Sequence, residues 1–106
     1  RERCRGLLWD VAVGVLRSGT DVILEFGLLQ RVEREVFYER ARADDVPLAV
    51  FVLDAPRSVR RERVLNRNRA AGEHTQIVPL EFFERASDAW EPPLEEERAR
   101  WSLIDV

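Results

Sequence analysis

From Arg3 to Arg17 the apolar residues Leu7, Leu8, Val11, Ala12, Val15 and Leu16 recur at helical spacing, and Ser18-Gly19 stops the run. The spacing predicts a helix with that stripe turned inward. Asp21 leads into Val22-Ile23-Leu24-Glu25-Phe26, a short run of strand formers that is nearly continuous in apolar character, and Gly27 closes it. A run without polar alternation predicts a strand buried on both faces of a parallel sheet. Gln30 to Asp45 returns to helical periodicity, with Val32, Val36, Phe37 and Ala41 on one face and Arg and Glu on the other. Leu48 to Leu53, between Pro47 and Asp54, is the strongest predicted strand. Pro56 suits the first turn of a helix predicted from about Arg57 to Ala70, with Val59, Val64 and Leu65 as its apolar contacts and Gly72 beyond its end. A fourth helix is predicted from Leu80 to Trp90, its stripe formed by Leu80, Phe83, Ala86 and Trp90, and Pro92-Pro93 breaks it. Glu95-Glu96-Glu97 reads as a charged connector and Trp101 to Val106 as a last short strand.

Helices and strands in this alternating order define an α/β class, with a parallel sheet of about three strands and flanking helices. No repeat, low-complexity tract or linker divides the sequence, and Pro92-Pro93 reads as a loop within one domain spanning 1–106. The length of 106 residues fits one small domain, and 45% apolar with 35% charged residues fits a folded chain rather than a disordered one. The net charge of −3 speaks against a nucleic-acid partner. All 17 basic residues are arginine, which excludes any mechanism that needs a lysine side chain from this chain. The single cysteine, Cys4, excludes an internal disulfide and a multi-cysteine metal site. The longest uncharged run, Val46 to Leu53, has eight residues, too few to span a bilayer. With no signal-peptide pattern at Arg1-Glu2-Arg3-Cys4-Arg5, a cytoplasmic setting is expected. A start without methionine, so close to a helical pattern, reads as a cut inside a larger protein.

Four segments carry candidate chemistry. Glu25 stands at the carboxyl end of a predicted parallel strand, where open α/β sheets place their ligand crevice, and there it could orient a Mg²⁺-bound water or a hydroxyl. An ordinary solvated strand exit has the same pattern. Arg57, Arg60, Arg61, Arg63, Arg67 and Arg69 make one helix strongly basic; Arg63 and Arg67 are four apart and so share a face, as a phosphate clamp requires. A solvated helix surface balanced by acids such as Glu62 is the plainer reading of these residues taken alone. Arg69 to Pro79, with the only histidine, His74, is either a cover over a site or a surface loop. Trp90-Glu91-Pro92-Pro93 with Glu95, Glu96 and Glu97 either holds a substrate hydroxyl or keeps a loop soluble.

Taken in order, Asp21-Val22-Ile23-Leu24-Glu25-Phe26-Gly27, Arg31-Val32-Glu33-Arg34-Glu35, Val50-Phe51-Val52-Leu53-Asp54-Ala55-Pro56, Arg63-Val64-Leu65-Asn66-Arg67-Asn68 and Trp90-Glu91-Pro92-Pro93-Leu94-Glu95-Glu96-Glu97 resemble the carboxyl-terminal part of P-loop kinase-like ATP-binding proteins of the AAA-type or zeta-toxin-like kind. The resemblance covers about Val11 to Val106. It implies a partial P-loop NTPase three-layer fold and the cofactors ATP and Mg²⁺. It implies Glu25 at the Walker B position as an indirect metal contact, Arg63 and Arg67 as lid arginines near the transferring phosphates, and Asn68 beside the adenine. It implies a lid over about 69–79 and, more weakly, Arg31 and Arg34 on the acceptor side. The function it implies is transfer of the γ-phosphate of ATP to a small hydroxylated acceptor. The family's Gly-rich loop with Gly-Lys-Ser/Thr is missing from the sequence, so the chain by itself is expected to be inactive. A non-catalytic α/β remnant or interaction module is the alternative.

Overall fold

The four helical patterns all become helices, and a fifth forms where the acidic connector was expected. The computed structural model describes residues 2–106, in the order α1 (Glu2–Arg17), α2 (Arg31–Ala43), β1 (Phe51–Val52), α3 (Arg57–Arg69), α4 (Leu80–Ala89), α5 (Glu95–Trp101) and β2 (Ile104–Asp105). The contacts group into two compact units. One comprises the residues up to Leu28 with Val32–Leu48, the other Leu29–Arg31 with Ala49–Val106.

The first unit is built on α1 and α2. Trp9 and Val13 of α1 form a buried cluster with Phe37 and Ala41 of α2, and Phe26, Leu28 and Val46 close over it. Phe37 meets two tilted aromatic partners, Trp9 at 5.7 Å and Phe26 at 5.0 Å between ring centroids. The indole N–H of Trp9 donates to Asp44 Oδ2 at 2.9 Å, so the largest core side chain is also oriented by a polar bond. α2 ends on Asp45 in the left-handed region (φ 54°), and the Val46 N–H closes the helix by donating to the Ala41 carbonyl at 2.8 Å.

The buried face of α1 differs from the expected one. Trp9, Ala12 and Val13 point inward, while Leu7, Leu8, Val11 and Val15 are exposed. The helix has two apolar faces, and the one carrying the tryptophan is buried because it covers most area against Phe37. α2 is turned similarly: Phe37 and Ala41 are buried as expected, but Val32 and Val36 are exposed.

The expected strand Val22–Phe26 does not form. Residues 20–29 are irregular, and Ile23 is 89% exposed. A strand exists only by pairing, and no other segment among the described residues offers this one a ladder.

The second unit contains the sheet. β1 and β2 pair in parallel with Phe51 opposite Ile104 and Val52 opposite Asp105. The Ile104 N–H donates to Val50 O at 2.9 Å and the Val106 N–H to Val52 O at 3.2 Å. The sheet therefore has two strands among the described residues instead of about three, and the predicted strand over Leu48–Leu53 shortens to the two residues that have a partner. Three helices intervene between the strands, as a parallel connection requires.

α5 replaces the expected connector. Glu95, Glu96 and Glu97 occupy its first turn, where carboxylates favour a helix start, and Arg98 and Arg100 its last. Ser102 adopts the left-handed conformation (φ 50°) and turns the chain into β2. Arg98 then grips Asp105 with one nitrogen at 2.6 and 2.7 Å from its two oxygens, fixing β2 to α5.

Replacing Trp9 by alanine is expected to cost about 3–5 kcal/mol, because it removes a large buried side chain and leaves Asp44 without its donor. A urea titration followed by circular dichroism measures this, and a loss below about 1 kcal/mol would contradict the assignment of Trp9 to the core.

Candidate functional site

The arginine helix α3 has no buried residue of its own. Val59 is 37% exposed, and Val64 and Leu65 are half-buried, so the apolar contacts expected for α3 give it little hold. Charge holds it instead. Arg57 and Arg61, four apart on α3, both close on Glu84 of α4. Arg61 donates from Nε to Glu84 Oε1 at 2.6 Å and from Nη2 to Oε2 at 3.1 Å, a two-pronged grip. Arg57 Nη2 meets Glu84 Oε2 directly and also reaches the Glu84 carbonyl at 3.2 Å, while its Nη1 donates to Asp88 Oδ1 at 2.7 Å. Arg60 completes the face, donating from Nε to Ala55 O at 2.9 Å and from Nη1 to Ser87 Oγ at 3.1 Å.

Phe83 lies beneath these groups, with the guanidinium carbons of Arg60 and Arg61 at 5.6 and 5.8 Å from its ring centre. Phe83 is the buried residue of α4; Leu80 of the expected stripe is exposed. The face of α4 that meets α3 is therefore Phe83, Glu84, Ser87 and Asp88. The hydrogen bonds from Arg61 and Arg57 hold the Glu84 carboxyl far below its ordinary 4.5, at about 2. The Asp88 and Glu84 bonds raise Arg57, and the Glu84 bond raises Arg61.

Arg63 and Arg67 stand on the flank of the same helix. Both are exposed, and neither makes a hydrogen bond or ion pair with another described residue. They repeat the spacing of Arg57 and Arg61 without a carboxylate between them. Asn68, one residue on, is occupied: its Nδ2 donates to Val78 O at 2.7 Å and its Oδ1 accepts from the Val78 N–H at 3.0 Å. This paired bond closes the base of the 70–79 segment, which is irregular apart from a turn in which Thr75 N–H donates to Gly72 O at 3.1 Å. His74 lies exposed in that turn.

Glu25 belongs to the first unit. It lies in the irregular segment, exposed and without a hydrogen bond or ion pair to a described residue. No group of three or more His, Cys, Asp or Glu side chains converges as a metal site among the described residues. Glu25 thus offers a single carboxylate, with no converging cluster of ligands around it among the described residues.

Arg34 is buried and donates to Leu28 O at 3.2 Å, so it braces the chain entering α2. Arg31, in the second unit, is drawn among acids: its guanidinium has Glu96 at 3.4 Å and the fully buried Glu97 at 3.9 Å, and its backbone N–H donates to Glu91 Oε1 at 3.3 Å. The Glu91 N–H in turn donates to Leu29 O at 2.8 Å. Arg31 and Arg34 are accordingly engaged in structural contacts.

The family model of an AAA domain matches residues 1–93. The chain belongs to the AAA domain family. The AAA domain match supports the P-loop kinase-like, nucleotide-binding nature that the residues resembled. No curated protein and no solved structure matches the chain significantly. No helix among the described residues of this AAA domain chain is long and apolar enough to cross a membrane.

Sequence reading missed the Glu84 clamp, though its signal was present. Glu84 and Asp88 are four apart on α4, as Arg57 and Arg61 are on α3, and two helices with matching spacing of opposite charge can zip together. Glu97 was missed because three adjacent acids give no sign of which one turns inward.

A pH prediction follows from the clamp. The Glu84 carboxyl titrates lower in the folded chain than in the unfolded one, so its contribution to stability is present above about 4.5 and lost as pH falls toward about 2. Glu84→Gln is expected to be less stable than the parent at neutral pH, the difference shrinking between pH 4.5 and 2. Thermal melts across that range test it; a pH-independent difference would count against the clamp.

Proposed function

We propose that this AAA domain chain supplies the arginine clamp and lid of a kinase-like phosphotransferase, in which Arg63 and Arg67 steady the phosphates of ATP while its γ-phosphoryl group passes to a small hydroxylated acceptor. The observation that carries this reading is the contrast along α3. The same helix bears two arginine pairs at one-turn spacing; one is closed on Glu84 and Asp88, and the other is open to solvent. In the closed pair two guanidinium groups at this spacing share one carboxylate, Arg61 through two nitrogens and Arg57 through one. The open pair has the same spacing on an exposed face.

Phosphoryl transfer needs positioning and charge neutralisation more than covalent chemistry, and guanidinium groups provide both. The Glu84 clamp keeps α3 on α4, so the open pair is presented from a fixed surface. The Asn68–Val78 pair pins the base of the lid and engages both ends of the Asn68 amide, so Asn68 would meet adenine through the plane of its amide. Glu25, with its carboxylate unengaged, is the residue that would orient a metal-bound water. Magnesium, where bound, supplies charge neutralisation on the phosphates.

In this reading the Gly-rich phosphate loop and its lysine are supplied from outside these 106 residues, which contain no lysine. A cytoplasmic setting and the absence of nucleic-acid partners belong to the same reading. The missing lysine also supports a second reading, a non-catalytic α/β interaction module.

Calorimetry separates the two. The 106-residue chain alone is expected to show no ATP binding at millimolar nucleotide. The same chain joined to a strand, Gly-Lys-Ser/Thr loop and helix is expected to bind. In that joined protein Arg67→Ala should slow turnover about a hundredfold or more while changing the ATP KM little. Unchanged turnover would remove the arginines from the mechanism, and failure of the joined protein to bind would favour the interaction module.

A further inference from the structure

A second open guanidinium lies in the first unit, away from α3 in sequence and independent of the phosphotransferase reading. Arg5 and Gly6 of α1 and Glu33, Val36, Phe37 and Arg40 of α2 line a groove of about 100 Å³. That is several times the space one ordered water needs, and far less than a nucleotide fills. Its lining is mixed in a specific way. Val36 and the Phe37 ring provide apolar wall. Arg5 is already satisfied, donating to Glu33 Oε2 at 2.6 Å and to Gly27 O at 3.1 Å. Arg40 is not: its guanidinium carbon sits 5.9 Å from the Phe37 ring centre, and its side chain makes no hydrogen bond or ion pair with a described residue.

Gly6 brings that guanidinium close to the α1 backbone. A β-carbon at position 6 would stand 3.5 Å from both Arg40 terminal nitrogens, so the missing side chain is what leaves this face of the fork uncovered. Elsewhere on α2, Arg42 has Glu39 at 3.6 Å and Arg34 has the Leu28 carbonyl. Arg40 is thus a half-buried cation whose neighbours are an aromatic ring, a glycine and an Arg5–Glu33 pair that is neutral as a unit.

We propose that this groove binds a small organic carboxylate, its two oxygens on the Arg40 fork and its short apolar tail against Val36 and Phe37. The fork matches a carboxylate in plane and spacing. The apolar wall favours an organic acid over an inorganic anion, which would leave Val36 and Phe37 facing a hydrated charge. The volume limits the tail to a few carbons.

The test is a titration of the full 106-residue chain with sodium propionate, followed by the Arg40 Nε–H and Val36 methyl signals in NMR, with inorganic phosphate as comparison. Saturable, millimolar propionate binding that exceeds phosphate binding is expected. Arg40→Gln should weaken it about tenfold or more, the loss of a charge-assisted two-point contact. Gly6→Leu fills the groove from α1 without removing the cation, and should abolish binding while the helix content in circular dichroism stays the same. Arg63→Ala/Arg67→Ala should leave propionate binding intact, which separates this site from the α3 clamp. Shifts that do not saturate, equal affinity for phosphate, or undiminished binding in Gly6→Leu would each overturn the proposal.

Discussion

The grip of Arg57 and Arg61 on Glu84 is the interaction on which the second unit depends. α3 is too polar to be held by burial: none of its residues is fully covered, and its apolar side chains are few. Three carboxylate oxygens and one hydroxyl on α4 take up the charge of three arginines, and Phe83 supplies the apolar floor under two of them. Desolvation opposes the pairs, and the two-pronged Arg61–Glu84 bond outweighs it. Because Glu84 answers two cations at once, its side chain loses freedom a single time for two bridges. The orientation of the remaining arginines on α3 follows from this fixed face.

The two units are built by different means. The first relies on aromatic packing, with Trp9, Phe26 and Phe37 in contact around Ala41. Among the described residues the second buries the hydrophobic side chains of Val52 and Phe83, with Pro93, and compensates with directional bonds: the Glu84 clamp, the Asn68–Val78 pair, and Arg98 on Asp105. A unit held by charge and hydrogen bonds responds to acid and salt, whereas one held by aromatic area responds chiefly to core substitutions. The AAA domain match runs through both units, up to residue 93, so the difference lies within one family segment.

Helix positions were legible because periodicity is local. α1, α2, α3 and α4 start and stop within about two residues of where Gly, Pro and the stripe ends place them. Strands were less so, because a strand is defined by its neighbour: Val22–Phe26 is a run of strand formers but has no ladder partner among the described residues. Which of two apolar stripes of α1 turns inward depended on Phe37, far along the chain, and spacing alone does not carry that. At the candidate site, the pairing of Arg63 with Arg67 on one face was readable from four-residue spacing. That their neighbours Arg57 and Arg61 are neutralised, and that Asn68 is committed to Val78, needed the α4 side chains and the loop backbone in place.

The parallel ladder joins Phe51–Val52 to residues more than fifty positions later. During synthesis, β1 leaves the ribosome long before β2 exists, and α3, α4 and α5 must all emerge first. Throughout that interval the Phe51 and Leu53 side chains and the β1 backbone edge stand open to other nascent chains. The exposure persists in part after closure, since Phe51 and Leu53 remain 60% and 76% accessible. A product ending after Leu53 but before Ile104 would therefore keep β1 without its ladder partner, an open edge of the kind that invites pairing with another chain.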